Sequence, residues 1–265
     1  GSTSAYLISE SGLKKNLKIK ILHHIDFVDN NFIRFRKYRV KENYVKQLPY
    51  LESIGLKVER FVGINALKDE HLNPIYKEYI SKFALNFTPK SVIGCALSHI
   101  LCCKHIYENY IINESSYGGK TPFFLIIEDD AYPKYNKLEF YKNLNKVINE
   151  ITILDINWEI IQLHSDAFCP TTNTYNTHFV CGSSAAYLIS ESGLKKNLRS
   201  KILSHMDFIE YNFIKFRKYR AKENLFYTNE KDSLNRNISK TKNYNYYSLY
   251  FKSYALELIN KYTNL

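Results

Sequence analysis

Three consecutive carboxylates, Glu128-Asp129-Asp130, follow directly on five apolar residues, Phe123 to Ile127. All-oxygen ligands suit hard divalent cations such as Mg²⁺ and Mn²⁺, and adjacent like charges repel one another unless a cation joins them. Alternate side chains of an extended chain share a face. Glu128 and Asp130 are therefore expected to face a metal, and Asp129 a sugar or ribose. The alternative is a strand that ends in a solvated acidic turn.

A second set of polar side chains lies in an apolar helical stretch before that strand. The run Gly94-Cys95-Ala96-Leu97-Ser98-His99 places a histidine directly after a serine, and Lys104 follows five residues later. Lys104 could reach a phosphate, although a lone lysine is more often solvated. A histidine in an apolar helix is more often a hydrogen-bonded core residue than a catalytic one. No nucleophile elbow or Asp-His-Ser order surrounds His99, so a hydrolase triad is not supported.

Asp207 is a further candidate. It follows His205 and Met206 after a predicted helix, where a carboxylate could act as a general base or hold a sugar hydroxyl. The alternative is an aspartate that caps the next turn. The next segment, 213–220, interleaves aromatic and basic residues. It could clamp a diphosphate or follow a polyanion, or it could form a half-buried strand with basic residues outside.

Alternating strands and helices must position these side chains. Hydrophobic patterning predicts strands over 56–62, 123–127, 158–163 and 184–189 and helices over 41–53, 92–110, 136–151 and 191–203. The uninterrupted apolar run 123–127 is typical of a strand buried on both faces. Ligands of open α/β sheets bind at the carboxyl ends of the strands, where the three carboxylates fall. The pattern predicts an α/β fold with one layered sheet.

An internal duplication is the most specific feature of the chain. Residues 1–43 repeat residues 182–224 without a gap, so that Ala5 to Leu17 recurs as Ala186 to Leu198. One sheet offers the position of this segment once, and loop closure favours the second copy. We therefore predict a peripheral or swapped segment over 1–31, whose exchange would form a homodimer. A catalytic domain over 32–240 and a helical tail over 241–265 would follow.

Composition limits the classes of protein. The 265 residues carry a formal net charge of +11 and five cysteines, with neither a disulfide framework nor a zinc-ligand spacing. No apolar run approaches the ~20 residues of a membrane span, and the first residues do not form a secretory signal. These features predict a cytoplasmic protein, of a cell or of a virus-infected host. The charge, which accompanies an AT-rich codon bias, does not indicate a specific nucleic acid.

The motifs together resemble glycosyltransferase family 25, which includes lipooligosaccharide and collagen galactosyltransferases. The "GCxxSH" helix of that family is matched at 94–99 and its hydrophobic strand with an acidic triplet at 123–130. Later motifs are matched by Trp158 to Leu163, by Ser184 to Ser190 and by Met206 to Ile209. The family's opening strand corresponds to Ile33 to Arg39, where its Asn and Asp are absent, and its "A-(V/I)-D-G" stands here as Gly63 to Ala66.

The resemblance implies a GT-A-like, Rossmann-like central mixed sheet flanked by helices, in a single catalytic domain. It implies a UDP-hexose donor, an acceptor hydroxyl on a glycan or a collagen-like protein, Mn²⁺ or Mg²⁺, and inversion at the anomeric carbon. Asp130 and Glu128 are the expected metal ligands, and Asp207, or else Asp166, the general base. The expected donor contacts come from a larger set: Glu128, Asp129, Ser98, His99, Lys104 and Arg36. A metal-dependent phosphoesterase and an inactive polyanion-binding relative are the alternatives.

Overall fold

A computed structural model describes a little over half of the chain. The described residues are 5–9 (backbone only), 46–56, 58–64, 66, 74–88, 90–112, 122–165, 183–199, 201–202 and 216–229. Arg36, Asp166, Asp207 and the tail 241–265 lie outside them.

Six helices are found in this part of the chain. They are α1 (46–53), α2 (Pro74–Lys77), α3 (Lys82–Phe87), α4 (Lys90–Ile106), α5 (Lys137–Leu154) and α6 (Glu191–Leu198), and a π-helical turn, Tyr107–Ile111, extends α4. Local chemistry sets their ends: Asn136 and Ser190 accept hydrogen bonds from the backbone N–H groups of Glu139 and Gly193. Gly55, with φ 78°, follows α1 as predicted. Within the described residues, no helix combines the length and apolar character of a membrane span.

Within the described residues, eight short strands form two sheets. They are β1 (Ala5–Ser9), β2 (Glu59–Phe61), β3 (Phe123–Glu128), β4 (Ala131–Pro133), β5 (Ile160–Gln162), β6 (Ala186–Ser190), β7 (Lys218–Arg220) and β8 (Phe226–Thr228). The main sheet has the order β2-β1-β3-β6-β5-β7, while β4 pairs with β8. Only the β5–β7 pair is parallel among the pairings of the main sheet described here. The predicted α/β fold with a mixed sheet is therefore confirmed.

Helix α6 and strand β5 are shorter than predicted, for reasons of tertiary structure. Helix α6 stops at Leu198 because the chain turns to bridge Ile202 to Ile80. Strand β5 begins at Ile160 because Trp158 still closes the turn after α5, with its N–H bonded to the carbonyl of Asp155.

Strand β3 is buried on both faces, as its apolar run predicts. Phe124 and Ile126 pack in a cluster with the apolar side chains of α4, while Phe123, Leu125 and Ile127 pack in a second cluster with α1 and α5. Full burial of each such side chain contributes about 1.5–3 kcal/mol. The strand is therefore fixed between two layers of helices, and its last residue, Glu128, is held in a defined place.

Both copies of the duplicated pentapeptide lie beside β3. Strand β1 pairs antiparallel on one side, with Ala5 opposite Glu128, and β6 pairs antiparallel on the other, with Ala186 opposite Ile127. The two registers differ by one residue. The rest of 1–31 lies outside the described residues, so its peripheral or swapped packing and the domain boundaries stay predictions.

We predict that Gly193→Ala destabilises the fold by about 2 kcal/mol, the middle of the range for overpacking a filled site. Gly193 lies in the first turn of α6, and a Cβ there would come 2.5 Å from the carbonyl oxygen of Glu159 and 2.9 Å from Cγ1 of Ile189. Denaturant unfolding measures the change. Gly12→Ala, the same change in the first copy, is the matched comparison, and a peripheral first copy predicts a negligible effect there. Wild-type stability of Gly193→Ala would contradict this packing.

Candidate functional site

The site is centred on Glu128, the last residue of β3, at the end of the sheet where β3 stops. Because β6 runs antiparallel to β3, the start of β6 lies at this end, and the N–H of Glu128 donates to the carbonyl of Ala185 at 2.7 Å. The hydroxyl of Ser184 donates to Oε1 of Glu128 at 2.5 Å. The carboxylate is thus anchored from the neighbouring strand, and 14% of its side chain remains exposed.

Helix α4 supplies a second anchor through His99. This side chain is fully buried, with Nε2 3.0 Å from Oε1 of Glu128 and Nδ1 2.9 Å from the hydroxyl of Tyr187. An ionised carboxylate can only accept hydrogen bonds, so Nε2 donates to Glu128, and in a neutral imidazole Nδ1 then accepts from the hydroxyl of Tyr187. Burial raises the pKa of Tyr187 well above its ordinary value, which keeps the phenol protonated as this donor. His99 is therefore a hydrogen-bonded core residue that also contacts the acidic triplet.

Gly94 and Ser98 bring α4 close enough for this contact. A Cβ at position 94 would lie 2.7 Å from the carbonyl oxygen of Ile64, so only glycine permits the approach. The hydroxyl of Ser98 accepts from the N–H of Ile64 at 2.7 Å and donates to the carbonyl of Gly94 at 2.6 Å. Ser98 is fully buried and joins α4 to the chain that follows β2. Its predicted contact with a donor stays a prediction.

The chain turns at Asp129 and Asp130 before β4 begins. Strand alternation therefore extends only to Glu128 and does not govern which way Asp130 faces. Asp129 is 8% exposed. The side-chain amide of Gln47 donates to the carbonyl oxygens of Glu128 and Ala131 on either side of the turn. A buried side chain of α1 thus holds the backbone of the acidic turn.

Sequence reasoning singled out Glu128 and His99, which the structure brings together, and their predicted contacts with a metal or donor stay predictions. It missed Gln47, Ser184 and Tyr187, which hydrogen-bond to these two residues. Gln47 is a lone polar residue on the apolar face of α1, which could have marked it as a buried hydrogen-bonding group. Ser184 and Tyr187 lie in the repeated segment, whose apolar pattern predicts a strand and gives no sign of a contact with Glu128. They reach Glu128 through the antiparallel pairing of β6 with β3, which local sequence patterns do not predict.

Lys104 lies near the end of α4. Its Nζ is 3.9 Å from the carboxylate of Glu108 and 5.9 Å from the centre of the Tyr79 ring, and its predicted phosphate contact stays a prediction. Arg36, Asp166 and Asp207 lie outside the described residues, so their predicted roles stay predictions as well.

The described part of the aromatic and basic segment is tied to acidic side chains. Nε of Arg217 lies 2.9 Å from Oδ2 of Asp155, which also accepts from the hydroxyl of Tyr219 at 2.8 Å. The backbone N–H of Arg217 donates to Oε2 of Glu159 at 2.7 Å, and Lys218 is buried within β7. These contacts favour the half-buried strand over a surface that follows a polyanion.

Lys196→Met should destabilise the protein by about 3 kcal/mol, because it leaves the buried carboxylate of Glu159 without its cation. Nζ of Lys196 lies 2.5 and 2.6 Å from the two oxygens of Glu159. Lys195→Met is the control, since Lys195 forms an exposed pair with Glu191 and such pairs contribute about 0.2–1 kcal/mol. Chemical denaturation compares the two. Equal losses of unfolding free energy in the two variants would show that the Lys196–Glu159 pair stabilises the protein no more than an exposed pair does.

Comparison with known proteins agrees with the resemblance drawn from the motifs. The model of glycosyltransferase family 25 (LPS biosynthesis protein) matches residues 34–196, more than half of the chain. The match includes Gly94, His99, the acidic triplet and β6, and it ends before Asp207. No curated protein sequence matches the chain. The extent of the family match shows that this chain belongs to glycosyltransferase family 25.

Proposed function

We propose that the protein is a metal-dependent hexosyltransferase with a GT-A-like fold. It transfers galactose or glucose from a UDP-sugar, with inversion, to a hydroxyl group of a glycan or a collagen-like protein. The observation that supports this most directly is the acidic turn at the end of β3, whose backbone is held by Gln47 and whose first carboxylate is anchored by His99 and Ser184. A rigid support of this kind suits a site that must hold charge in a fixed place.

The chemistry of the donor set suits a hard divalent cation. Glu128, Asp129 and Asp130 bring three carboxylates to one turn, and Asp129 is buried there. Their mutual repulsion is relieved when a cation binds, and carboxylate oxygens are the ligands that Mn²⁺ and Mg²⁺ prefer. We assign the ion to Asp130, with Glu128 or Asp129 completing its ligands. When bound, it would neutralise charge on the diphosphate of the departing UDP.

The remaining chemistry is assigned to side chains of this protein. The bond between the anomeric carbon and the UDP oxygen breaks while the acceptor oxygen bonds to the opposite face of that carbon. Asp207, with Asp166 as the alternative, takes the proton of the acceptor hydroxyl. His99 and Ser184 position the carboxylate of Glu128 and do not themselves touch the reacting atoms in this scheme.

A thermal-shift screen tests this function. UDP, UDP-galactose and UDP-glucose, each with and without Mn²⁺, should raise the melting temperature only when the ion is present, with GDP as control. A nucleotide at 100 times its Kd adds about 2.7 kcal/mol of stability. Transfer is then measured as UDP released in the presence of acceptor sugars. The absence of any nucleotide-dependent shift would overturn the proposal, and release of inorganic phosphate would indicate a phosphoesterase.

A further inference from the structure

A soft ligand lies beside the hard ones of the acidic turn. Cys95 and His99 are one helical turn apart on α4 and project on the same side, toward the end of β3. One ligand atom from each of Cys95, His99 and Glu128 lies within 4.8 Å of the other two. This is the one such group of three among the residues that the structure describes.

From this cluster we propose a zinc-class metal site formed by Sγ of Cys95, Nε2 of His99 and a carboxylate oxygen of Glu128. The proposal does not rest on the transferase activity, whose hard cation was assigned to Asp130; with Glu128 bound at the zinc-class site, Asp129 would complete the ligands of that cation. A thiolate, an imidazole and a carboxylate favour a borderline cation such as Zn²⁺ or Co²⁺ over Mn²⁺ or Mg²⁺. Three protein ligands leave a fourth position for water or an added ligand, as in reactive zinc sites.

The geometry needs little rearrangement. Zinc bonds of about 2.0–2.3 Å place tetrahedral ligand atoms roughly 3.3–3.8 Å apart, so the described separations of up to 4.8 Å close by about 1 Å. Nε2 of His99 and Oε1 of Glu128, now 3.0 Å apart, would separate slightly as the ion replaces the proton between them. The partly exposed side chain of Glu128 provides the route of entry, because Cys95 and His99 are both buried.

The surroundings of His99 match those of a metal-bound imidazole. A histidine that binds a metal through one nitrogen usually donates the other N–H to a neighbouring oxygen, and Nδ1 of His99 is 2.9 Å from the hydroxyl of Tyr187. On metal binding the imidazole would carry its proton on Nδ1 and donate to this hydroxyl. The neutral ring keeps one proton, which would move from Nε2 to Nδ1 by exchange with solvent, while the proton of the Cys95 thiol would be released. The lone pairs of Sγ and Nε2 would then bond to the ion.

The neighbouring cysteines differ from Cys95 in their surroundings. Cys102 and Cys103 are buried farther along α4, and Sγ of Cys103 accepts from the amide of Asn197 at 3.0 Å. Burial raises the pKa of Cys103 to about 12, so it remains a thiol. Neither belongs to the cluster with His99, and Cys102 is therefore a matched control on the same helix.

Cobalt spectroscopy of the complete chain tests the site. Co²⁺ added to the reduced, metal-free protein should bind at one equivalent, with the near-ultraviolet thiolate-to-cobalt band and the strong visible bands of a four-coordinate ion, and Zn²⁺ should displace it. Cys95→Ser should lose the thiolate band, whereas Cys102→Ser should keep it, with circular dichroism confirming that both variants are folded. A folded wild type without the band overturns the proposal. A band that survives in Cys95→Ser also overturns it, because the thiolate then lies elsewhere.

Discussion

The Asp130→Asn variant is expected to keep its fold and to lose Mn²⁺-dependent binding of UDP together with sugar transfer. The amide keeps the size of the carboxylate but not its charge, and it is a poor ligand for a hard cation. Gln47 and the N–H of Asn229, which donates to the carbonyl of Asp130 at 3.0 Å, hold the turn whichever side chain is present. We expect turnover to fall at least about a thousandfold, which is ~4 kcal/mol of transition-state stabilisation.

Calorimetry of UDP binding with and without Mn²⁺ separates this result from a loss of fold. Glu150→Gln, which neutralises a carboxylate on α5 in an exposed pair with Lys146, is the control and should behave as the wild type. Mn²⁺-dependent UDP binding by Asp130→Asn that equals the wild type would remove Asp130 from the metal site.

The second large effect is expected at Asp207. Asparagine at this position can still accept a hydrogen bond from an acceptor hydroxyl but cannot take its proton, and a positioned general base contributes about 10²–10⁴-fold to a rate. Asp207→Asn should therefore lower kcat by two or more orders of magnitude and leave Mn²⁺-dependent UDP binding nearly unchanged. Steady-state kinetics and calorimetry on the same protein measure both quantities.

Asp166→Asn is the matched comparison, since it makes the same change at the alternative base. A loss of turnover in Asp166→Asn alone would move the role of base to that residue. Wild-type turnover in both variants would show that neither carboxylate removes the proton.

Local patterns predicted what depends on neighbouring residues in the chain. The apolar run 123–127 predicted a strand buried on both faces, and Gly55 predicted the end of α1. Both features depend on the types of a few adjacent residues. The paired contacts of Glu128 could not be predicted in this way. They require β6 to run antiparallel to β3 and α4 to pack at the spacing that Gly94 permits, and both are properties of the assembled sheet.

Motif spacing also predicted only part of the candidate site. It brought His99 and the acidic triplet into one family resemblance, yet the proximity of Cys95 to Glu128 follows only from the crossing of α4 over β3. The spacing of the cysteines had indicated no zinc site, because Glu128 lies 29 residues after His99 and so forms no local pattern with Cys95 and His99. The placement of Asp207 and Asp166 depends on segments outside the described residues.

The identical pentapeptides on either side of β3 bear on how this chain folds. Because the two have the same sequence, each could pair with either side of β3. The two copies therefore compete for the same pairing positions while the chain folds. The first copy is synthesised before β3 and the second after it, so Ala5–Ser9 can pair while β6 is still absent. A one-residue slip of register turns every side chain of a strand to the opposite face. A copy that pairs with β3 in the register of the other copy must therefore be released before the sheet is complete. Synthesis from the N-terminus, in which the first copy pairs before the second exists, would favour the native arrangement more than refolding from denaturant does.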